Sequence, residues 1–133
     1  MECLILVKTL AETIGTAAHI TGDSFESRRI LRADHWLGYS LHDILCKAGS
    51  VQHLHYQNHI ETNYVIEGMG EVEDVCTGQI YSLQPGTVYV LDQNDPHILR
   101  AETDMRIACI FTPALTGRET HEKNGSYAAA PEE

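Results

Sequence analysis

The sequence has little positive charge: 9 Lys and Arg stand against 19 Asp and Glu, a formal net charge of −10 with the 8 histidines neutral. Nucleic acids and anionic membrane surfaces select clustered Lys and Arg, so this balance argues against either as the main partner. It favours solubility instead, including at high salt. The four cysteines, Cys3, Cys46, Cys76 and Cys109, lie far apart, with no CxxC pair, no Cys/His zinc spacing and no disulfide framework. They read as reduced thiols, and Cys109, inside the apolar run Met105 to Phe111, reads as a small core residue. Long apolar runs are missing too. The opening MECLILVK has five apolar residues before Lys8, too short for a signal-peptide core or a membrane span, so the expected compartment is the cytoplasm. There is no internal repeat, and the low-complexity stretch AAAPEE falls in a tail, 127–133, expected to be flexible.

What is present suits one globular domain over 1–133. A chain of 133 residues, 43% hydrophobic, can bury about two thirds of its unfolded surface without a disulfide or metal staple. Turn signals recur at short intervals: Gly49-Ser50, Glu67 to Gly70, Thr77-Gly78, Gln84-Pro85-Gly86 and Asn94-Asp95-Pro96. Between them lie Leu37 to Leu45, Val51 to Tyr56, Thr62 to Glu67, Glu71 to Val75, Ile80 to Leu83, Val88 to Leu91, His97 to Ala101 and Met105 to Phe111, all rich in Val, Ile, Leu and Tyr. These read as strands of an all-β sandwich or barrel, with a helical turn near Thr9 to Ile14. No stretch is long enough for a βαβ unit.

Three of the eight histidines, His53, His55 and His59, fall within seven residues and are followed by Glu61. In a strand, residues i and i+2 share a face, so His53 and His55 project together, either into the barrel or out of it. Turned inward, imidazole and carboxylate form the mixed N/O donor set of a catalytic divalent Fe, Mn, Ni or Zn. Turned outward, they bind nothing.

The spacing G49-x3-H53-x-H55-x5-E61-x6-G68 resembles the first cupin motif, and Pro85-Gly86 followed by His97 resembles a loosened second one, with Pro-Gly for Pro-x-Gly and the histidine displaced. The expected fold is a cupin β-barrel, or jelly roll, closed by a C-terminal lid segment after Leu115. Within the cupins, the chain resembles the ectoine synthase family through SRRIL at Ser27 to Leu31, HYQNHIE at His55 to Glu61, YVIEGMGEVED at Tyr64 to Asp74, and PGTVYVLD at Pro85 to Asp92. DPHILRAETDMR at Asp95 to Arg106 and LTGRETHEKNGSY at Leu115 to Tyr127 are the most specific strings.

The resemblance implies a lyase that cyclises N-γ-acetyl-L-2,4-diaminobutyrate to ectoine, a compatible solute, with loss of water. An amide carbonyl is a poor electrophile, so the reaction calls for a Lewis acid, a held ring-like conformation and proton transfer to the departing oxygen. The family's metal is ferrous iron (Fe2+), and its ligand pattern maps onto Glu61, Tyr89 and His97, where spacing alone favours His55 over Tyr89. Arg29 matches the arginine expected to bind the substrate carboxylate, with Arg28 beside it expected to face solvent. Tyr56, Phe111 and Glu119 match pocket positions, Glu119 suited to hold or deprotonate the amine, and His121 matches a position suited to proton relay; Tyr56, Glu119 and His121 are the catalytic candidates. Phe25 and Ile44 stand in the substrate pocket where the family usually has tryptophan and often threonine. Those two departures leave open a related N-acetylated diamino acid as substrate, or a non-catalytic cupin that binds a small solute. Asn63, Gln57 and His35 also look atypical, at positions where the sequence argues no role. The resemblance further implies a homodimer.

Overall fold

Apolar residues alternating with polar ones between glycine and proline turns build ten strands among the described residues, 5–116, of the computed structural model. The order is α1 (Leu10–Thr13), β1 (His19–Thr21), β2 (Phe25–Leu31), a 3-10 turn (Ala33–His35), β3 (Ser40–Cys46), β4 (Val51–Leu54), β5 (Ile60–Glu67), β6 (Gly70–Asp74), β7 (Ile80–Leu83), β8 (Val88–Leu91), β9 (His97–Ala101) and β10 (Met105–Thr112). α1 is the expected helical turn, capped by the Thr9 hydroxyl, which accepts from the Glu12 N–H. β3 begins three residues later than the sequence suggests, because Trp36 (φ 59°) and Gly38 (φ 78°) take left-handed conformations that a strand cannot continue.

Two antiparallel sheets face each other as a jelly roll. One has the order β1-β2-β3-β10-β5-β8, the other β4-β9-β6-β7. Their inner faces bury Val65, Leu83, Leu99, Met105, Ile107, Cys109, Phe111 and Leu115 between them. Along β5 the buried positions are Glu61, Asn63 and Val65; along β10 they are Met105, Ile107, Cys109 and Phe111. Gly68, at φ 91° in the β5–β6 turn, is required twice over, since a Cβ there would also overlap the Asp104 carbonyl.

Strands β1 and β2 were not expected. Arg28 does not face solvent, as the sequence suggested: it is buried on the outer face of β2, where its guanidinium donates to the Asp43 carboxylate and carbonyl on β3. Arg106 of β10 grips the same carboxylate from the other side. The N-terminal segment, with Thr13 and Ala18 buried, packs against β2.

Candidate active site

The pleat decides which polar residues enter the barrel. Register across the larger sheet sets Arg29 opposite His42, His42 opposite Cys109, Cys109 opposite Asn63, and Asn63 opposite Tyr89. Directly opposed residues share a face, so these five form one row on the inner wall. In the neighbouring row Ser40, Phe111 and Glu61 lie side by side. A core chosen for stability alone would fill such positions with apolar side chains, because each buried polar group costs free energy unless it is paired. Here Arg29, His42, His59, Glu61, Asn63 and His97 are all buried.

Glu61 and His97 meet across the gap between the sheets. His97 Nδ1 donates to the Asp95 carbonyl at 2.9 Å, which leaves Nε2 with its lone pair, 4.0 Å from Glu61 Oε1 and without a hydrogen-bond partner. Glu61 Oε2 accepts from Cys109 Sγ at 3.0 Å. Burial raises the Glu61 pKa to about 7, while Cys109 and Asn63 draw it back. Burial also pushes the Tyr89 phenol well above its usual range, and the Glu61 carboxylate adds to the effect. His97 is lowered by burial, against the pull of its Asp95 carbonyl bond.

Among the described residues no three His, Cys, Asp or Glu side chains converge as a metal cluster. Tyr89 lines one cavity with Glu61 and another with His97, so its phenol is a candidate third donor beside that pair. A carboxylate that burial makes reluctant to ionise, a phenol held above its usual pKa and an imidazole Nε2 with no partner are donors whose charge a cation would satisfy, and their N/O character suits iron.

Phe111 is the hub of the adjoining wall. Its ring lies 5.1 Å from Tyr56 edge-on, 5.1 Å from His42 and 5.9 Å from His59, and Tyr56 lies 5.8 Å from His97. Arg29 Nε donates to Ser27 Oγ at 3.1 Å, and the guanidinium helps lower the His42 pKa, after burial itself. A cavity of about 30 Å³ is lined by Phe25, Ile44, Tyr56, Glu61, Asn63 and Tyr89, among others. A larger cleft of about 590 Å³ opens between edge strands β7 and β8, with Tyr89 and His97 in its wall.

The family model described as ectoine synthase matches residues 5–131. The chain belongs to the ectoine synthase family. It is similar to the L-ectoine synthase of Halalkalibacterium halodurans, 46% identical over 127 residues, which are 96% of this chain and 98% of that one. Its fold is similar to the crystal structure of ectoine synthase from P. lautus, with a TM-score of 0.85 and 41% identity, covering 97% of this chain and 94% of that one. An RmlC-like cupin from Shewanella frigidimarina shares the fold at a TM-score of 0.59 and 20% identity, covering 71% of this chain and 81% of that one. The chain is thus an ectoine synthase family member on a cupin jelly roll.

Of the residues expected from the ectoine synthase resemblance, Phe25, Arg29, Ile44, Tyr56, Glu61, Tyr89, His97 and Phe111 all come together between the sheets. Glu119, His121 and the expected lid lie outside the described residues. The chain reaches Leu115 at the barrel rim, where its N–H donates to Ser40 Oγ at 3.0 Å and its carbonyl accepts from the Ala33 N–H at 2.7 Å. The histidine cluster divides. His53 is exposed on β4, His55 lies past the end of that strand with its Nδ1 3.4 Å from Gln57 Nε2, and His59 is buried against Phe111. Sequence reasoning missed His42 and the contact of Cys109 with Glu61, and noted Asn63 as atypical without giving it a role. The signal that finds them is strand register.

Proposed function

We propose that this chain is an ectoine synthase, a lyase that closes N-γ-acetyl-L-2,4-diaminobutyrate into ectoine by intramolecular dehydration. The α-amine forms a bond to the acetamide carbon, the acyl C–O bond breaks, and the oxygen leaves as water carrying both amine protons. The observation that carries this reading is the Glu61–His97 pair, with the partnerless Nε2 facing a buried carboxylate beside Tyr89, in a chain of this family. Glu61, Tyr89 and His97 would hold ferrous iron, which when bound supplies Lewis acidity towards the acyl oxygen.

The protein's own residues do the rest. Arg29 takes the substrate carboxylate, its guanidinium turned inward by the alternation of β2. Phe111, Tyr56, Phe25 and Ile44 form an apolar wall that folds the chain of the substrate so that the amine meets the carbonyl and keeps water away. Tyr56 and, from the segment beyond Thr116, Glu119 and His121 are assigned to the amine and its protons, as the resemblance implies. The enzyme is proposed to act in the cytoplasm as a homodimer that makes an osmoprotectant. No helix among the described residues is long and apolar enough to cross a membrane.

The test is ectoine formation from N-γ-acetyl-L-2,4-diaminobutyrate by purified protein, chelated and then reloaded with ferrous iron, beside Glu61→Ala. Iron is expected to restore turnover in the wild type and not in the variant. Iron-loaded wild type that makes no ectoine overturns the proposal. A second reading, a related N-acetylated diamino acid as substrate, rests on Phe25 and Ile44 in the cavity wall; faster turnover of the shorter or longer homologue would favour it.

A further inference from the structure

Two connections cross from one sheet to the other beside the site. His55 to His59 joins β4 to β5 and leads into Glu61; Asp92 to Pro96 joins β8 to β9 and leads from Tyr89 to His97. Glu61 lies opposite Leu91, the last residue of β8, so both connections leave the barrel at the same end. The second is fixed within itself through Asp95, whose carboxylate accepts from the Gln93 N–H at 3.2 Å and whose carbonyl accepts from His97 Nδ1 at 2.9 Å. Neither of those bonds reaches the first connection.

Asn94 does reach it. This exposed residue sits midway along the second connection with a left-handed backbone, φ 55°, a conformation that asparagine tolerates better than most residues with a side chain. In this turn its amide extends across to the other connection. With Nδ2 facing them, one N–H donates to the Tyr56 carbonyl at 3.3 Å and the other to the Gln57 carbonyl at 3.1 Å. The reverse placement would set the amide oxygen against two carbonyl oxygens. Tyr56, whose backbone is held in this way, is 4% exposed, and its ring lies 5.8 Å from His97 and 5.1 Å edge-on from Phe111.

We propose that Asn94 is a positioning residue: by tying the β8–β9 connection to the β4–β5 connection it holds His97 at its distance from Glu61 and keeps the Tyr56 ring against His97 and Phe111. This rests on Glu61, Tyr89 and His97 as the iron ligands proposed above. Those ligands come from both sheets, so the separation of Nε2 from Oε1, 4.0 Å, depends on how the crossing connections sit against each other. Donors that fix the backbone around metal ligands tune how firmly the metal is held. Asn94 acts through the Tyr56 and Gln57 carbonyls, and the loss of about one net hydrogen bond biases a loop towards its open form by about tenfold.

The experiment uses two full-length variants. Asn94→Gly keeps the left-handed turn without strain and removes the amide; Asn94→Asp keeps the shape and puts a second acceptor where the donor must be. In the metal-free proteins, hydrogen exchange read by mass spectrometry is expected to quicken about tenfold over 55–59 and 92–96 in both variants and nowhere else. Competition with a chelator is expected to show ferrous iron held about tenfold more weakly, with Tm lower by no more than about 4 °C. Exchange unchanged from wild type overturns the proposal, because the tie then holds nothing. Iron held as tightly as in wild type despite faster exchange overturns it too, and marks a merely structural tie. So does exchange that quickens across the strands with a larger fall in Tm, the sign of general destabilisation. None of these readouts depends on turnover. Wild type that binds iron and makes no ectoine defeats the cyclisation reading and leaves this inference to be decided by exchange and iron; wild type that binds no iron defeats both.

Discussion

Cys109 holds Glu61 by Oε2 at 3.0 Å, which leaves Oε1 directed at His97. The thiol is fully buried, and burial, with the Glu61 charge next, keeps its pKa well above the usual thiol range, so it stays protonated and serves as a donor. The sequence suggested a small core residue, and burial agrees; the bond to Glu61 adds a positioning role. Removing it in Cys109→Ala is expected to weaken iron binding about tenfold, the usual cost of losing a group that orients a ligand, with little change in Tm. Cys109→Ser, whose hydroxyl can donate in its place, should recover most of the loss. Competition with a chelator measures both, and equal iron retention in wild type and Cys109→Ala would refute the role. Local strings were enough to name Glu61, Tyr89, His97, Arg29, Tyr56 and Phe111 as candidates, and the structure gathers them. His42 escaped because nothing local distinguishes it, and Asn63, though atypical, offered no local argument for a role. Their place in the inner row comes from pairing with β2, β8 and β10, residues far away in the chain.

At the scale of elements, strands β3 to β10 were legible because glycine and proline turns punctuate apolar runs, with ends off by a few residues where left-handed Trp36 and Gly38 or the loop after Leu54 intervene. β2 was not legible. Its sequence, FESRRIL, has buried Arg28 and Arg29 on opposite faces, so alternation of polar and apolar residues disappears. Those arginines serve different ends: Arg29 faces the site, while Arg28, with Arg106, clamps Asp43 and ties β2, β3 and β10 together. Burial alone would raise the Asp43 pKa, but the hydrogen bonds from Arg106 and Arg28 and their charges bring it below its usual value. A carboxylate more acidic in the folded than in the unfolded chain stabilises the fold above its unfolded pKa, about 3.9, and that contribution is lost as pH falls through the lower folded value. Asp43→Asn is therefore expected to destabilise the protein at neutral pH by about 3 kcal/mol, since buried Arg28 loses its partner. The penalty should shrink as pH falls below the unfolded value and through the lower folded one, where the wild type protonates too. Urea melts at pH 7 and pH 3 check this, and an equal penalty at both would show that the clamp is not ionic.

For the whole molecule, the two sheets matter because the proposed ligand set spans them: Glu61 and Tyr89 come from one, His97 from the other. Any slip of one sheet on the other would separate Oε1 from Nε2, so the geometry of the centre is only as good as the packing of Val65, Leu83, Leu99 and Ile107 beneath it. The outer face of the larger sheet makes a different demand. Ile60 and Tyr64 of β5 and Val88 and Val90 of edge strand β8 are all between 46% and 55% exposed on neighbouring strands. An apolar strip along an edge that no strand among the described residues covers invites pairing with another chain, which natural sheets avoid unless they use it. A second copy covering this strip would account for it, and would brace β8, the strand that carries Tyr89. The proposed homodimer should then appear by light scattering at micromolar concentration, and Val90→Lys, which places a charge on the strip while leaving the inner face untouched, should shift the mass towards the monomer. Loss of iron from that monomer, read by metal analysis, would tie the brace to the centre. A wild type that is monomeric, or a Val90→Lys variant that dimerises as tightly as wild type, would rule this surface out.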